Sequence, residues 1–422
     1  HTPCMLVITF ALVLSCTPEA TKLASLCAPL LPNPGPASEC STVRLRLGNS
    51  NTLHRLLRRR GESEECFLVR QFGQSSAFAL NRARENQQFG KLAEFGIAPP
   101  LIATFHGGRI EGWLDGQACT AVECRTPAVS GAVARALAAL HALPPDSIDT
   151  HLDEDAIVKA GESWAWVAAR TWMHGAGMCI EHLECLASAD EALVARVRNI
   201  DLGEIENQLN ALESHLGRHP ELTSLCFCHN DLSNTNVLRD ASRGTTHLID
   251  FEFGGINMRG FDLATHMSHW AGGAVDGLYD DKAFPTEAEQ GLFLGEYARA
   301  AAAINPAEAR GGGLLQQLQV EVTATKPLVH CVWGLWALCA LPGAIIAEEP
   351  SSFSHIEYAE RRLAAFEASL PSAMALSPPV APPASSQPAS LKVAPESRHG
   401  RLVADMFHPD ALGGGRTEGT RW

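Results

Sequence analysis

Two short stretches of the sequence decide the fold, 226-CFCHNDLSNTNVL-238 and 245-TTHLIDFEFGG-255. Each pairs a short apolar strand pattern with polar residues, and a brief polar connector separates the two. The polar side chains that could bind a metal or move a proton are His229, Asp231, Asn236, Asp250 and Glu252. Asn and Asp are also common in ordinary turns, but two such sets, both bounded by apolar strands, favour a functional site.

The spacing of these residues suits phosphoryl transfer. It matches the H-x-D-x-x-x-x-N and Asp-metal loops of protein kinases. Asp231 is the candidate base or orienting group for an attacking hydroxyl, and with Asn236 and Asp250 it completes the predicted catalytic set. Magnesium prefers hard oxygen ligands, so the predicted metal ligands are Asn236, Asp250 and, through a water, Glu252.

Cys226, Cys228 and His229 could also be read as part of a zinc site. We disfavour zinc, because structural zinc sites usually separate their cysteines by two to four residues and a strand points neighbouring side chains to opposite faces. The chain has 13 cysteines without a compact framework of spacings, which favours reduced thiols and a cytoplasmic protein.

Bulk composition narrows the partners. The chain has 422 residues, enough for two lobes with tails, and a net charge of −14. Such an acidic protein is not expected to bind nucleic acid or to insert stably in an anionic membrane. An apolar run at residues 4–16 has the length of a signal-peptide core, although no basic segment precedes it.

The sequence divides into four regions. Residues 1–41 are predicted to be a disordered leader and linker, and 371–422 a disordered Pro- and Gly-rich tail. Residues 42–115 form a small β-rich N-lobe and 116–370 a larger, mostly helical C-lobe, which is an α+β, bilobal, protein-kinase-like fold. The predicted elements of the N-lobe are strands at 43–47, 53–57 and 66–69, a polar turn at 58–65 and a helix at 81–96.

The residues after the two stretches extend the match. The chain resembles the choline/ethanolamine kinase family over about residues 42–370, and the matching positions are Asn257, Arg259, Phe261, Asp262, His266, Trp270, the Trp333-Gly-Leu-Trp336 segment, Phe353 and Tyr358. The resemblance implies that ATP with Mg²⁺ phosphorylates a small amino alcohol. For ethanolamine the product is phosphoethanolamine, and the reaction opens the CDP-ethanolamine route to phosphatidylethanolamine.

The same resemblance assigns a nucleotide site in the N-lobe. Gly48, Ser50 and Asn51 match a phosphate-binding loop, in which Leu47 replaces the first glycine. Arg70 would contact the phosphates, and Glu85 would pair with it. Residues 111–114, including Glu111 and Trp113, would form the hinge that faces adenine.

The acceptor site is expected to contain Asp231 with the residues His269, Trp333, Trp336, Phe353 and Tyr358. His269 stands where relatives have a glutamate that helps to hold the substrate's ammonium. A neutral imidazole brings no full charge, so this pocket departs from the family pattern.

The spelling HNDL and the Ala271-Gly272 pair favour ethanolamine over choline. An aminoglycoside-type phosphotransferase, a protein kinase and an inactive relative that serves as a binding subunit are the alternatives. A protein kinase is the weakest of them, because no A-P-E segment follows Asp250. The expected partners are the amino alcohol and ATP, and a homodimer is left open.

Overall fold

The structure is a computed structural model. It describes residues 18–45, 51–73, 81–148, 162–185, 190–309, 313–346 and 352–376. Leu47, Gly48, Ser50, the apolar run at 4–16 and the tail from residue 377 lie outside the described residues. The described residues form two compact units, of which one contains those up to 73 and 99–114, and the other contains 81–98 and the described residues from Asp115 onward.

The first unit is an antiparallel sheet covered by one helix. Its strands are β1 (Cys40–Leu45), β2 (Asn51–Arg60), β3 (Ser63–Phe72), β4 (Leu101–Phe105) and β5 (Gly108–Gly112), in the spatial order β1-β2-β3-β5-β4. Helix α1 (Pro18–Cys27) packs on this sheet. Its core joins Leu23, Cys27 and Leu31 to the sheet residues Leu56, Val69 and Ile110.

The predicted disordered linker is therefore wrong for residues 18–41, since the last two of them belong to β1. Apolar residues at 23, 24, 27, 28 and 31 recur at helical spacing, and all of them are buried. Prolines on both sides of this pattern indicated a linker. Pro18 is nevertheless compatible with the first turn of a helix. Burial against the sheet supplies the order that the polar and proline-rich composition did not predict.

The predicted polar turn at 58–65 is also wrong. Strands β2 and β3 pair as far as Arg60 with Ser63, which leaves only residues 61 and 62 for the turn. Arg58 faces Glu65 with 2.6 Å between Nη2 and Oε2, and Arg59 faces Glu64 with 2.9 Å between Nε and Oε2. The charged run is thus a pair of strands held by opposite charges directly across the ladder.

The second unit is mainly helical. Its helices are α2 (Arg82–Glu94), α3 (Ala121–Cys124), α4 (Pro127–His141), α5 (Pro145–Ile148), α6 (Trp164–Cys185), α7 (Glu191–Arg198), α8 (Leu202–Gly217), α9 (Arg259–Ser268), α10 (Glu287–Ile304), α11 (Pro306–Ala309), α12 (Leu314–Ile346) and α13 (His355–Met374). Helix α2 begins after Asn81, whose side chain accepts a hydrogen bond from the Arg84 N–H, as expected of an N-cap. The sequence placed this helix in the N-lobe, whereas its contacts group it with the larger unit.

Five short strands complete the second unit: β6 (Gln117–Ala118), β7 (Leu225–Cys228), β8 (Val237–Asp240), β9 (Thr245–Leu248) and β10 (Gly255–Met258). Strand β7 pairs with β10, and β8 lies between β6 and β9. Strands β7, β8 and β9 lie within the island predicted at 225–253, and α4 contacts both β7 and β9. Helix α4 therefore supports the strands that carry the two polar loops.

Helix α12 is the one helix among the described residues that is long and apolar enough to cross a membrane. Its most apolar 18-residue window has a mean hydropathy of 1.8, and 61% of that window is buried inside the protein. Helices α13, α6 and α9 cover it. These contacts explain its apolar composition as that of a core helix.

Candidate active site

The two polar loops meet because β8 and β9 form one hairpin. Val237 pairs with Leu248, and just beyond this pair the Ile249 N–H donates to the carbonyl oxygen of Asn236 at 3.0 Å. Asn236 therefore ends one loop where Asp250 begins the other. The hairpin register thus brings together two residues that the sequence analysis assigned to the metal.

Asn236 also reaches back to Asp231. Its Nδ2 donates to the carbonyl oxygen of Asp231 at 2.7 Å and to Oδ2 of the same residue at 3.3 Å. With the amide nitrogen turned to Asp231, the amide oxygen becomes the atom that could bind a cation. These two hydrogen bonds join the ends of the loop from Asp231 to Asn236 and fix the orientation of both side chains.

His229 holds the two loops together. Its Nε2 lies 2.9 Å from the carbonyl oxygen of Ile249, which can only accept, so this nitrogen carries the proton. Its Nδ1 then accepts from the Asp231 N–H at 3.3 Å. Burial lowers the pKa of His229, which favours this neutral form. We assign His229 a positioning role, since both ring nitrogens are used within the loops.

Asp262, near the start of α9, holds the backbone of the loop that begins at His229. It is fully buried and accepts from the N–H groups of His229 and Asn230, each at 2.8 Å. The Nε2 of His141 lies 3.0 Å from its Oδ2, and the Nδ1 of His141 lies 2.9 Å from the Tyr297 hydroxyl. Asp262 matches a family motif in the sequence, but nothing in the sequence marks His141 as its partner, because the two residues lie 121 positions apart.

Two residues of the loops adopt left-handed backbone conformations. Asn230 and Asp250 both have φ of 67°. Asn and Asp tolerate this region better than other residues with side chains do. Asn230 is held there by its amide, which donates to the Phe253 carbonyl oxygen at 2.8 Å and accepts from Asn257 at 2.7 Å. Asp231 directly follows Asn230, so the candidate base comes immediately after one of these two positions.

The site concentrates negative charge. Burial raises the pKa of Asp231 well above its usual range, and the nearby Asp250 and Glu252 raise it further, while Asn236 and Arg362 act in the opposite direction. Glu252 accepts from Arg82 with 3.2 Å between Oε2 and Nη1. A divalent cation would relieve this crowding, and the donor set of carboxylate and amide oxygens is the one that Mg²⁺ prefers. The residues present therefore fit the expected metal.

The cysteines next to the loop do not behave as expected. Cys226 and Cys228 lie on the same face of β7 with 3.5 Å between their sulfur atoms, and His141 lies close enough to complete a buried trio. His229, the third residue of the zinc alternative, faces away toward Ile249. The prediction that a strand would point these two cysteines to opposite faces is wrong, because residues two apart on a strand share a face.

The described residues of the predicted nucleotide site are placed as follows. Glu111 lies within β5, buried, and its Oε1 accepts from Arg70 at 2.9 Å and from Arg109 at 2.8 Å. Burial opposes the charge of Glu111, but the two guanidinium groups prevail and lower its pKa. Trp113 follows β5, with Cζ of Arg55 5.1 Å from its ring centre.

Asn51, the first residue of β2, is buried, and so is Glu85 of α2. Glu85 accepts from Arg82 at 2.6 Å between Oε2 and Nη1. The nucleotide-binding roles of these residues stay predictions.

The aromatic residues expected at the acceptor divide into two neighbouring groups. Trp336 lies with Phe353 and Tyr358, at ring separations of 6.1 and 6.5 Å, and the latter two are 5.2 Å apart. Trp333 lies 5.8 Å from Trp336 and also packs with Trp164, Trp172 and Phe253, so it joins the two groups. Trp333 and Tyr358 are similarly buried, at 4% and 3% exposed.

Comparison with known proteins supports the fold. A solved Plasmodium vivax ethanolamine kinase has a TM-score of 0.61 and 24% identity, covering 77% of this chain and 82% of its own. A solved Cryptosporidium parvum choline kinase has a TM-score of 0.62 and 21% identity, covering 82% and 94%. The fold is thus that of the protein-kinase-like phosphotransferases.

The family follows from the sequence. A model of the choline/ethanolamine kinase family matches residues 43–367, so the chain belongs to that family of kinases. The choline/ethanolamine kinase of Rattus norvegicus is 25% identical over 322 residues, which cover 72% of each chain. Relatives named for choline and for ethanolamine both occur, and identity at this level does not distinguish the two acceptors.

Proposed function

We propose that this protein transfers the γ-phosphoryl group of ATP to the hydroxyl of a small amino alcohol, with ethanolamine as the preferred acceptor. The observation that carries the proposal is the cluster of Asp231, Asn236, Asp250 and Glu252. Its members come from two loops that one hairpin holds together, and Asn236 contacts Asp231 directly. Family membership supports a kinase, and the preference for ethanolamine rests on the HNDL spelling and the Ala271-Gly272 pair.

In this proposal Asp231 accepts the hydroxyl proton and orients the oxygen for in-line attack on the γ-phosphorus. The new oxygen–phosphorus bond forms as the bond to the bridging oxygen of ADP breaks. Asn236, Asp250 and Glu252 would hold Mg²⁺, which supplies neutralising charge to the phosphate oxygens when bound. His229 and Asp262 keep the loop in place and do not contact the reacting atoms.

The choice between acceptors depends on how an ammonium is held. A quaternary ammonium binds to aromatic faces, whereas a primary ammonium needs three hydrogen-bond acceptors. Trp336, Phe353 and Tyr358 could provide an aromatic wall for either substrate. The preference for ethanolamine is therefore a question for direct measurement.

The decisive experiment measures ADP release from Mg·ATP with ethanolamine, choline or an aminoglycoside at equal concentration. We expect the highest turnover with ethanolamine. Higher turnover with choline would reverse the preference, and turnover with the aminoglycoside alone would replace the acceptor class. Tight ATP binding without turnover on any acceptor would contradict the proposed reaction, and the absence of ATP binding would favour an inactive relative.

The roles within the cluster are tested by substitution. We expect Asp231→Asn to lower kcat by about 100-fold to 10,000-fold while ATP binding persists, because a base of this kind contributes that much. Asp250→Ala should abolish turnover and weaken Mg²⁺ binding, because a predicted metal ligand is removed. Asp190→Asn is the matched control, since Asp190 is an exposed N-cap and Asn caps helices equally well. Rates in Asp231→Asn equal to those of the control would refute the assignment.

A further inference from the structure

Arg362 of α13 is a cation buried without a full set of partners. The residue is 0% exposed. Its Nη1 donates to the Ser268 Oγ at 3.0 Å and to the His330 Nδ1 at 3.1 Å. Its Nε and Nη2 have no hydrogen-bond partner among the described residues. A buried charge of this kind is costly unless something accepts its remaining hydrogens.

The side chains in contact with Arg362 are neutral. The ring centres of Tyr279 and Tyr358 lie 4.1 and 4.9 Å from its Cζ, and the Tyr358 side chain also hydrogen-bonds to the guanidinium, so both tyrosines stabilise the cation in part. The carboxylate of Asp281 approaches the far side of His330, 3.7 Å from Nε2, and already pairs with Lys326 at 3.1 Å. It does not reach the two unpaired nitrogens of Arg362, so the guanidinium keeps an excess of positive charge.

His269 adds further unpaired polar atoms at the same place. It is 3% exposed, and neither ring nitrogen has a hydrogen-bond partner among the described residues. It follows Ser268, which accepts from Arg362. Burial, and then the charge of Arg362, lower the pKa of His269 well below its usual range, so the ring is neutral and offers one N–H. Arg362 and His269 thus bring together donors that lack acceptors.

We propose that a small monovalent anion, a carboxylate or a halide, binds between Arg362 and His269 within the acceptor pocket. An anion at this position would accept from Arg362 Nε and Nη2 and from the His269 N–H, which removes the cost of leaving them unpaired. The planar guanidinium is well suited to a carboxylate, because its two N–H groups can donate in parallel. The anion site itself depends only on these contacts.

The link to the acceptor rests on the proposed function. Arg362 lies against Tyr358, with 4.9 Å between its Cζ and the ring centre. Tyr358 packs in turn with Phe353 and Trp336, two other residues of the predicted acceptor site. An ammonium bound here would be repelled by an unpaired guanidinium. An anion between the two cations would attract both, and it could come from solution as chloride or from an acceptor that carries its own carboxylate.

The binding test needs no turnover. The melting temperature of the full chain is measured at constant ionic strength while sodium chloride replaces sodium gluconate, whose anion carries a five-carbon polyol chain and is too large for a site between residues that are 0% and 3% exposed. For the wild-type protein we expect a saturable rise of about 3 °C at ten times the half-saturating concentration. His269→Glu places a carboxylate beside Arg362 and should remove this rise. His174→Glu makes the same charge change at an exposed position of α6 and should respond like wild type.

Melting temperatures of the wild type that are equal in both salts would overturn the proposal, and so would an undiminished rise in His269→Glu. If His269→Glu fails to fold, broadening of the chloride-35 NMR line by the wild-type protein answers the same question. Its reversal by acetate is expected, because the site should also take a carboxylate. A line that stays sharp at millimolar protein would overturn the anion site.

The source of the anion is distinguished by activity. If free chloride binds, ADP release with ethanolamine should rise several-fold as chloride replaces gluconate. If the acceptor supplies the carboxylate, L-serine should be phosphorylated and chloride should compete with it. A saturable thermal shift without turnover on either acceptor supports the anion site and contradicts the proposed function. Chloride-independent turnover with ethanolamine and a flat thermal titration support the proposed function and overturn the anion site.

Discussion

Asp262 lies beneath the catalytic loop and accepts hydrogen bonds from two successive backbone N–H groups, those of His229 and Asn230. Burial raises the pKa of such a carboxyl, but the hydrogen bond and charge of His141 lower it, and the net shift is downward. Asp262 is therefore a buried anion that holds the loop at the point where Asn230 adopts its left-handed conformation.

Replacing Asp262 by Asn tests this role. The amide has one oxygen for two backbone donors, and its own N–H groups would face another donor. We expect Asp262→Asn to lower the free energy of unfolding by about 2 kcal/mol, because a charged hydrogen bond is lost in a buried place. Chemical denaturation measures this loss. Asp201→Asn, at an exposed N-cap, is the control that should stay near wild type. Equal losses in the two variants would contradict the role of Asp262.

The loop residues could be predicted from the sequence, whereas the partners of Arg362 could not. The spacing of His229, Asp231, Asn236 and Asp250 predicted two facing loops, and the hairpin register places the loops as expected. The partners of Arg362 could not be predicted, because Ser268 lies 94 positions away and His330 lies 32 positions away. A motif records which residues occur close together in the chain, whereas burial and distant contacts decide which polar atoms stay unpaired.

At the scale of elements, helix α1 is the clearest departure from the expected structure. Its buried side, with Leu23 and Cys27, packs against Leu56, Val69 and Ile110 of the sheet. Isolated helices of ten residues are marginal in water, so this helix depends on that packing. The helix was not predicted because only a few apolar residues carry the helical spacing, and the prolines on both sides of them are typical of a linker.

Two leucines of α1 provide a matched test. Leu23 is 6% exposed and Leu26 is 47% exposed. We expect Leu23→Ala to cost about 2 kcal/mol in the free energy of unfolding, at the lower end for buried leucines because Leu23 keeps 6% of its surface exposed. Leu26→Ala should change it by less than about 0.5 kcal/mol. Urea unfolding compares the two. Similar values would mean that α1 does not pack on the sheet in solution.

Helices α12 and α13 pack closely where a glycine faces the next helix. A Cβ at Gly334 would lie 2.9 Å from Cγ of Leu363 and 3.4 Å from Cβ of Arg362, whereas a Cβ at Gly343 of the same helix would have no neighbour within 4 Å. The Arg362 side chain is thus positioned by close helix contact. The absence of a side chain at Gly334 permits that contact.

The two glycines of α12 should respond with opposite sign. Gly334→Ala should lower the melting temperature, because overpacking costs about 1–3 kcal/mol and exceeds the gain in helix propensity. Gly343→Ala should leave it unchanged or raise it, since alanine favours a helix over glycine by up to about 1 kcal/mol. Thermal unfolding of both variants measures the difference. A stabilised Gly334→Ala would show that the two helices are less closely packed than described.

At the scale of the whole molecule, the chain is strongly acidic and has two compact units, each with buried residues of its own. The sequence predicted a β-rich and a helical part correctly, because alternating and helical patterns are strong in long segments. It could not predict that α2 groups with the larger unit, since that depends on contacts such as Arg82 with Glu252, 170 positions apart.

The carboxylate cluster belongs to the second unit, so Mg²⁺ binding there should stabilise that unit locally. We expect Mg²⁺ without nucleotide to slow amide hydrogen exchange in peptides covering residues 226–258, by about tenfold at ten times the half-saturating concentration. Peptides from β1 to β3 should exchange at an unchanged rate. The Asp250→Asn variant should lose the protection, because a ligand is removed and the crowding of carboxylates is reduced. Protection spread evenly over both units, or retained in Asp250→Asn, would show that Mg²⁺ binds elsewhere.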